Sequence, residues 1–337
     1  MNLRLLLLTG SLLLSGCEQA PSGVDTLSTY IARLSGAVEM AAGPPAPNAH
    51  WEPPKATKSV IPAAEQISLI DFLSLSGCEL QVNLGRRNSQ LGRSASPSQR
   101  LLLDLEFMHL APACARFLRD KGDVALAATL EHASTQRQLW LPTSIHEAVL
   151  AGPEWESFWS APTSLDHYPQ QTDSTIVQTL TQLTRMVEGW LGGNWMASNR
   201  DFELLLSELR SGDGGALLLA MDQVAQQLAR ASELLARTDR EKPLCPFGKE
   251  TARSRAVEAV VQRFFVGEVQ PWLVTLRQRK ELLSAATAAL EAPLLDVQPD
   301  QYRDWAYRRD TLIDTQTALI RNHVGVIQQV LSRCGGV

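Results

Sequence analysis

Five cysteines, six histidines and one arginine-rich turn are the side chains whose types and spacing bear on chemistry in this 337-residue chain. The histidines, His50, His109, His132, His146, His167 and His323, are spaced too widely for a metal-ligand set. His146-Glu147-Ala148-Val149-Leu150 begins like a two-histidine zinc helix and then lacks the second histidine four residues on. No Gly-x-Ser-x-Gly elbow, Walker loop or Gly-x-Gly-x-x-Gly run occurs, which removes the nucleophile, phosphate-cradle and dinucleotide signatures. Asp201 and Glu203 would do general acid and base work only if buried together, and adjacent charge on a polar helix face is the simpler reading. Gly212-Asp213-Gly214-Gly215 precedes a helix whose amides could hold an anion, but Asp213 opposes one and a flexible helix-to-helix loop suffices. No catalytic residue, metal or cofactor is therefore expected, and a non-enzymatic protein is favoured.

The densest polar run is Arg86, Arg87, Asn88 and Ser89, followed after a short interval by Ser98, Gln99 and Arg100. Guanidinium forks, amides and hydroxyls gathered together suit an anionic or backbone-rich partner, so these seven residues form the candidate partner-binding set. A structural use is open to three of them, because Asn88, Ser89 and Ser98 stand where helix ends need caps. Trp155 and Trp159, at i and i+4, are a second candidate surface, with buried aromatic packing as the plainer role.

The start of the chain sets the compartment. Residues 1–16 place Arg4 ahead of a leucine-rich run too short to cross ~30 Å of hydrocarbon. The run ends in Leu14-Ser15-Gly16-Cys17, which resembles the lipobox of bacterial lipoproteins. The resemblance implies a signal peptide over residues 1–16, cleavage before Cys17, lipid on the Cys17 sulfur and on the new amino terminus, and a lipidated tether over residues 17–23. The protein would then sit on the periplasmic side of the envelope. Glu18 is not the aspartate that marks inner-membrane retention in enteric bacteria, so the outer membrane is favoured. Loss of residues 1–16 leaves 30 Lys and Arg against 36 Asp and Glu, a charge of −6 that makes nucleic acid a poor partner. The expected partners are the membrane, through Cys17, and an envelope protein.

In an oxidising compartment the remaining four cysteines, Cys78, Cys114, Cys245 and Cys334, favour disulfides over metal ligation, since no Cys-x-x-Cys occurs. Three pairings exist; Cys78 with Cys114 and Cys245 with Cys334 is the expected one, because each pair brackets a stretch that reads as a helical hairpin. Apolar residues recur at helical spacing over residues 24–40, 68–84, 99–119, 122–141, 143–150, 176–191, from 199, from 217 to 235, 250–290 and 300–333. Breaks or kinks are expected at Pro112, Pro142 and Pro271. Residues 43–62 hold six prolines and read as an extended strap pinned by Trp51. No stretch alternates with period two, so the expected fold is all-α: an elongated bundle of antiparallel helices with two disulfides, a single domain over residues 24–334 with a sub-division admitted near residues 160–175.

Arg87-Asn88-Ser89-Gln90-Leu91-Gly92, the Pro97-Ser98-Gln99 helix start and the flanking Cys78 and Cys114, with Asp71-Phe72-Leu73 upstream, resemble an uncharacterised family of gammaproteobacterial lipoproteins, a domain of unknown function. The resemblance supports the lipoprotein and helical readings and carries no activity. The function expected from sequence is a non-enzymatic scaffold or adaptor in the envelope. The alternative is an envelope ligand-binding protein or hydrolase acting on peptidoglycan or lipid.

Overall fold

The computed structural model describes residues 22–49, 51–55, 69–170 and 175–335; Cys17, the segment before it, His50 and Pro62 lie outside these residues. Ser22 starts the first helix, α1 (Gly23–Val38), with a capping box: its hydroxyl accepts from the Asp25 N–H and the Asp25 carboxylate accepts from the Ser22 N–H. Leu27, Tyr30, Ile31, Leu34 and Val38 then form one buried stripe. The chain continues through α2 (Leu69–Ser74), α3 (Leu80–Asn88), α4 (Gln90–Arg93), α5 (Pro97–Asp120), α6 (Val124–Val149) and α7 (Pro153–Trp159). It ends with α8 (Thr175–Leu191), α9 (Asn199–Arg210), α10 (Gly214–Glu241), α11 (Ala252–Val260), α12 (Gln270–Glu291) and α13 (Asp300–Ser332). Every regular element among the described residues is helical, and none of these helices is long and apolar enough to cross a membrane.

Two hydrophobic cores are present. The larger takes the stripes of α1 and of α7 to α13, together with Leu101, Leu105 and Met108 of α5 and Leu141, Ile145 and Val149 of α6. The smaller gathers Leu75, Leu80 and Leu84 against Phe107, Ala111, Cys114 and Leu118 of α5 and Leu126 and Leu130 of α6. The antiparallel pair α5–α6 therefore spans both cores, tied along its length by Arg137 to Asp104 and Arg119 to Glu131. In the larger core α10 and α13 run side by side in one direction, Ser232 against His323 and Asp239 against Arg333. Helices α11 and α12 run back along α1, bringing Arg253 to the Val38 carbonyl and Trp272 beside Gly23.

Both expected disulfides are formed. Cys78–Cys114 lies in the smaller core and Cys245–Cys334 in the larger. Of the stretch read as a strap, residues 43–49 and 51–55 are described; they form no regular element, and residues 43–49 lie along α10: Arg230 donates to the Gly43 carbonyl, Gln226 to that of Pro47, and the Ala49 N–H to Asp222. Trp51 anchors it through its carbonyl, which accepts from the Trp305 indole at 2.7 Å.

Three local expectations change. The run read as one helix over residues 68–84 is broken between α2 and α3, where Gly77 adopts φ +97° and Cys78 turns toward Cys114. The helix expected to stop before Pro142 continues through it, because Leu141, Ile145 and Val149 are packed into the larger core on either side of the one lost hydrogen bond. The irregularity expected at Pro271 falls just before it, in a π-helical stretch Val261–Val269 where the Gln270 N–H reaches back to the Phe265 carbonyl.

Candidate functional site

The arginine-rich turn is built as a closed corner. Ser89 caps α4: its hydroxyl accepts from the Gly92 N–H at 3.0 Å and donates to the Arg86 carbonyl at 2.7 Å. A Cβ on Gly92 would overlap the carbonyl oxygens of Arg86 and Arg87, so the corner closes only around glycine. The Arg-Asn-Ser-x-Leu-Gly run is thus explained by its own backbone. The cap expected of Ser98 is supplied by Ser96, whose hydroxyl accepts from the Gln99 N–H. Ser98 is buried instead, and donates to Glu203 on α9 at 2.9 Å. Asn88 is the exposed last residue of α3 rather than a cap.

The arginines are spent in different ways. Arg87 pairs with Asp104, which also accepts from Arg137 at 3.0 Å, and the Arg137 guanidinium lies 3.7 Å from the centre of the Phe107 ring. Arg100 donates to the Ala95 carbonyl. Arg86 pairs with Glu106 while remaining half exposed. Sequence reading missed Asn83, fully buried on α3, whose amide donates to the Leu103 carbonyl at 3.0 Å and to Glu106 at 2.8 Å. Its place on the face shared by Leu80 and Leu84 was the available signal.

Two of the seven expected residues, Arg86 and Gln99, line an open groove of about 350 Å3 between α3, α5 and the loop joining α8 to α9. Leu102, Leu103, Trp195 and Met196 supply its apolar lining; Glu106, His109 and Asn199 complete the polar one. Two of its lining residues are tied to each other. The Gln99 amide donates to Asn199 at 2.8 Å and to Glu203 at 2.7 Å, which joins α5 to the start of α9, and Ser198 caps α9 by accepting from the Asp201 N–H. Arg87, Asn88, Ser89, Ser98 and Arg100 lie outside its lining. Glu203 is committed to Ser98 and Gln99, and Asp201 is exposed, so the two do not form a buried acid pair.

The other sequence candidates are interior. Trp155 and Trp159 are almost fully buried, and the Trp159 ring packs edge-on against Trp305. The Arg309 guanidinium lies against both of these rings, 4.9 Å from the centre of each. It donates to both Glu291 oxygens at 2.7 and 2.8 Å. Burial works to lower the Arg309 pKa, but hydrogen bonding and charge from Glu291 outweigh it and raise it. The Gly212-Asp213-Gly214-Gly215 loop is packed rather than flexible: Asp213 accepts from Arg279 at 2.8 Å and from the Tyr168 hydroxyl at 3.0 Å. Gly215 leaves room for the Ser160 carbonyl, which a Cβ would strike. His146 and His323 are buried, and burial pushes each down to about 4. Among the described residues no group of three or more His, Cys, Asp or Glu side chains is placed to hold a metal ion.

Neither a curated protein nor a solved structure matches the chain. A family model described as "Protein of unknown function (DUF3080)" matches residues 27–336, from the second turn of α1 past Cys334, and the chain belongs to that family.

Proposed function

We propose that the protein is a lipid-anchored component on the periplasmic side of the bacterial envelope, outer membrane favoured, that acts by contact as a scaffold or adaptor. The lipobox-like Leu14-Ser15-Gly16-Cys17 supports the anchor. Two acyl chains or more hold a protein on a membrane stably without help from a basic patch. The single observation that carries the contact reading is the braced groove on α5. Its walls come from three separate parts of the chain, the amide of Gln99 is tied to Asn199 and Glu203, and Met196 in its lining stands 70% exposed. Rigid elements that converge on an open, half-apolar cleft lose little order when a partner enters.

The test replaces Met196, in the native lipoprotein, with a photoreactive residue, and does the same at Tyr307, which is 73% exposed and does not line the groove. Irradiation in cells should give a discrete adduct from position 196 and none from position 307, with the protein recovered in the membrane fraction carrying acyl groups by mass spectrometry. Adducts of the same pattern from both positions, or an unacylated protein, would overturn this reading.

A further inference from the structure

Resting on the contact reading above, we propose that the occupant of the α5 groove is a pyranose glycan strand, with the Trp195 indole taking the apolar face of one sugar ring. A pyranose is divided as this groove is: one face of C–H groups, and an edge of hydroxyls that both donate and accept. Trp195, Met196, Leu102 and Leu103 match the face; Arg86, Gln99, Glu106 and Asn199 match the edge. These polar groups are planar, and each keeps capacity after its internal bonds are made. Both donors of the Gln99 amide are used on Asn199 and Glu203, which leaves its carbonyl oxygen. The Asn199 oxygen is used on Gln99, which leaves its amide N–H groups. Glu106 takes Asn83 and Arg86 on one oxygen, Oε2, and keeps Oε1. Free donors and free acceptors therefore both remain beside an aromatic side chain, which a hydroxyl-bearing ring satisfies and an alkyl chain does not.

Charge points the same way. Arg86 and Glu106 are in direct contact and offset each other's charge, so the lining carries no uncompensated arginine or lysine to select a phosphate or an acidic headgroup. The cleft of about 350 Å3 suits a small stretch of chain rather than a folded protein. On the periplasmic side such a strand is the glycan of the cell wall. Its capture by a lipid-anchored protein would link membrane to wall, which is what an adaptor does.

The experiment titrates the full-length lipoprotein in detergent with tetra-N-acetylchitotetraose and, separately, with a free wall-type stem peptide. Wild type is compared with Trp195→Ala, Asn199→Ala and Tyr307→Ala, each checked for helicity by circular dichroism. The tetrasaccharide should bind saturably, about tenfold or more weaker in Trp195→Ala, a few-fold weaker in Asn199→Ala and unchanged in Tyr307→Ala. Absence of saturable binding up to about 10 mM sugar, or equal binding by wild type and both groove variants, overturns the glycan proposal. So does binding of the peptide in place of the sugar. In either case a discrete adduct from position 196 still upholds the contact reading, and its loss removes that reading as well.

Discussion

Arg309 on α13 and Glu291 at the end of α12 meet as a two-point ion pair, Nη1 to Oε1 at 2.7 Å and Nη2 to Oε2 at 2.8 Å, with both side chains almost entirely removed from water. The Tyr302 hydroxyl donates to Glu291 Oε1, and Asp310 accepts from the Arg309 Nε. Removing one member of such a pair strands the other charge in the core. Arg309→Met should therefore cost about 3–5 kcal/mol in urea unfolding followed by tryptophan fluorescence, while Arg309→Met combined with Glu291→Leu should recover much of that loss. A double variant no more stable than Arg309→Met alone would show that the charges are not what the site depends on.

Acid should weaken the fold through its interior histidines. The His323 ring lies between the Tyr30 hydroxyl and the Ser232 hydroxyl, 2.9 Å from each, and joins α1, α10 and α13. Both His323 and His146 are pushed down to about 4, against an ordinary value near 6.5. Between those values the unfolded chain binds more protons than the folded one, so stability is complete above about pH 6.5 and falls as pH drops toward 4. The loss is about 3 kcal/mol per histidine once pH reaches the folded value. Urea midpoints between pH 7 and 5, where most carboxylates stay ionised, should fall with acid, and His323→Gln should flatten the slope. An unchanged slope in that variant would place the titration elsewhere.

Gly92 should tolerate no side chain. A Cβ there would overlap the carbonyl oxygens of Arg86 and Arg87, and backbone cannot swing aside as a flexible side chain does. Gly92→Ala should open the Ser89 corner at a cost of about 2 kcal/mol or more. The change should appear as faster amide exchange in residues 80–97, with α10 and α13 unaffected; uniform acceleration across the chain would argue against a local role. Ser89→Ala removes only the cap and should cost about 1 kcal/mol.

The helices were legible because their apolar stripes recur with helical spacing, as in α1 and α13, and the Cys78–Cys114 bond because the pair brackets the packed helices α3 and α5; Cys245 and Cys334 meet for another reason, at the adjoining ends of α10 and α13. What was not legible is pairing between charges distant along the chain. Asp213 read as part of a flexible helix-to-helix loop because nothing near it in sequence announces Arg279, and nothing near Glu291 announces its pairing with Arg309. The site was half legible. Arg86 and Gln99 were in the expected set, whereas Trp195 and Met196 come from the α8–α9 loop and Asn199 from the first turn of α9, brought in by the Gln99–Asn199 hydrogen bond that no local pattern encodes.

The Cys78–Cys114 bond should hold the smaller core more than it holds the body. That core is made by α2 and α3 lying on α5 and α6, and its apolar set is a fraction of the larger one, so less burial opposes the entropy of releasing α2 and α3. The bond closes a loop of 36 residues, worth about 4 kcal/mol in chain entropy, and it ties the segment before α3 directly to α5. Cys78→Ser with Cys114→Ser should accordingly let α2 and α3 exchange early and make urea unfolding biphasic, while the Asp213–Arg279 and Glu291–Arg309 pairs keep the larger core cooperative. Cys245–Cys334 closes 89 residues within the larger core, and its loss should lower the main transition without splitting it. If the first variant unfolded in one step with residues 69–93 protected throughout, the two cores would have to be a single cooperative unit.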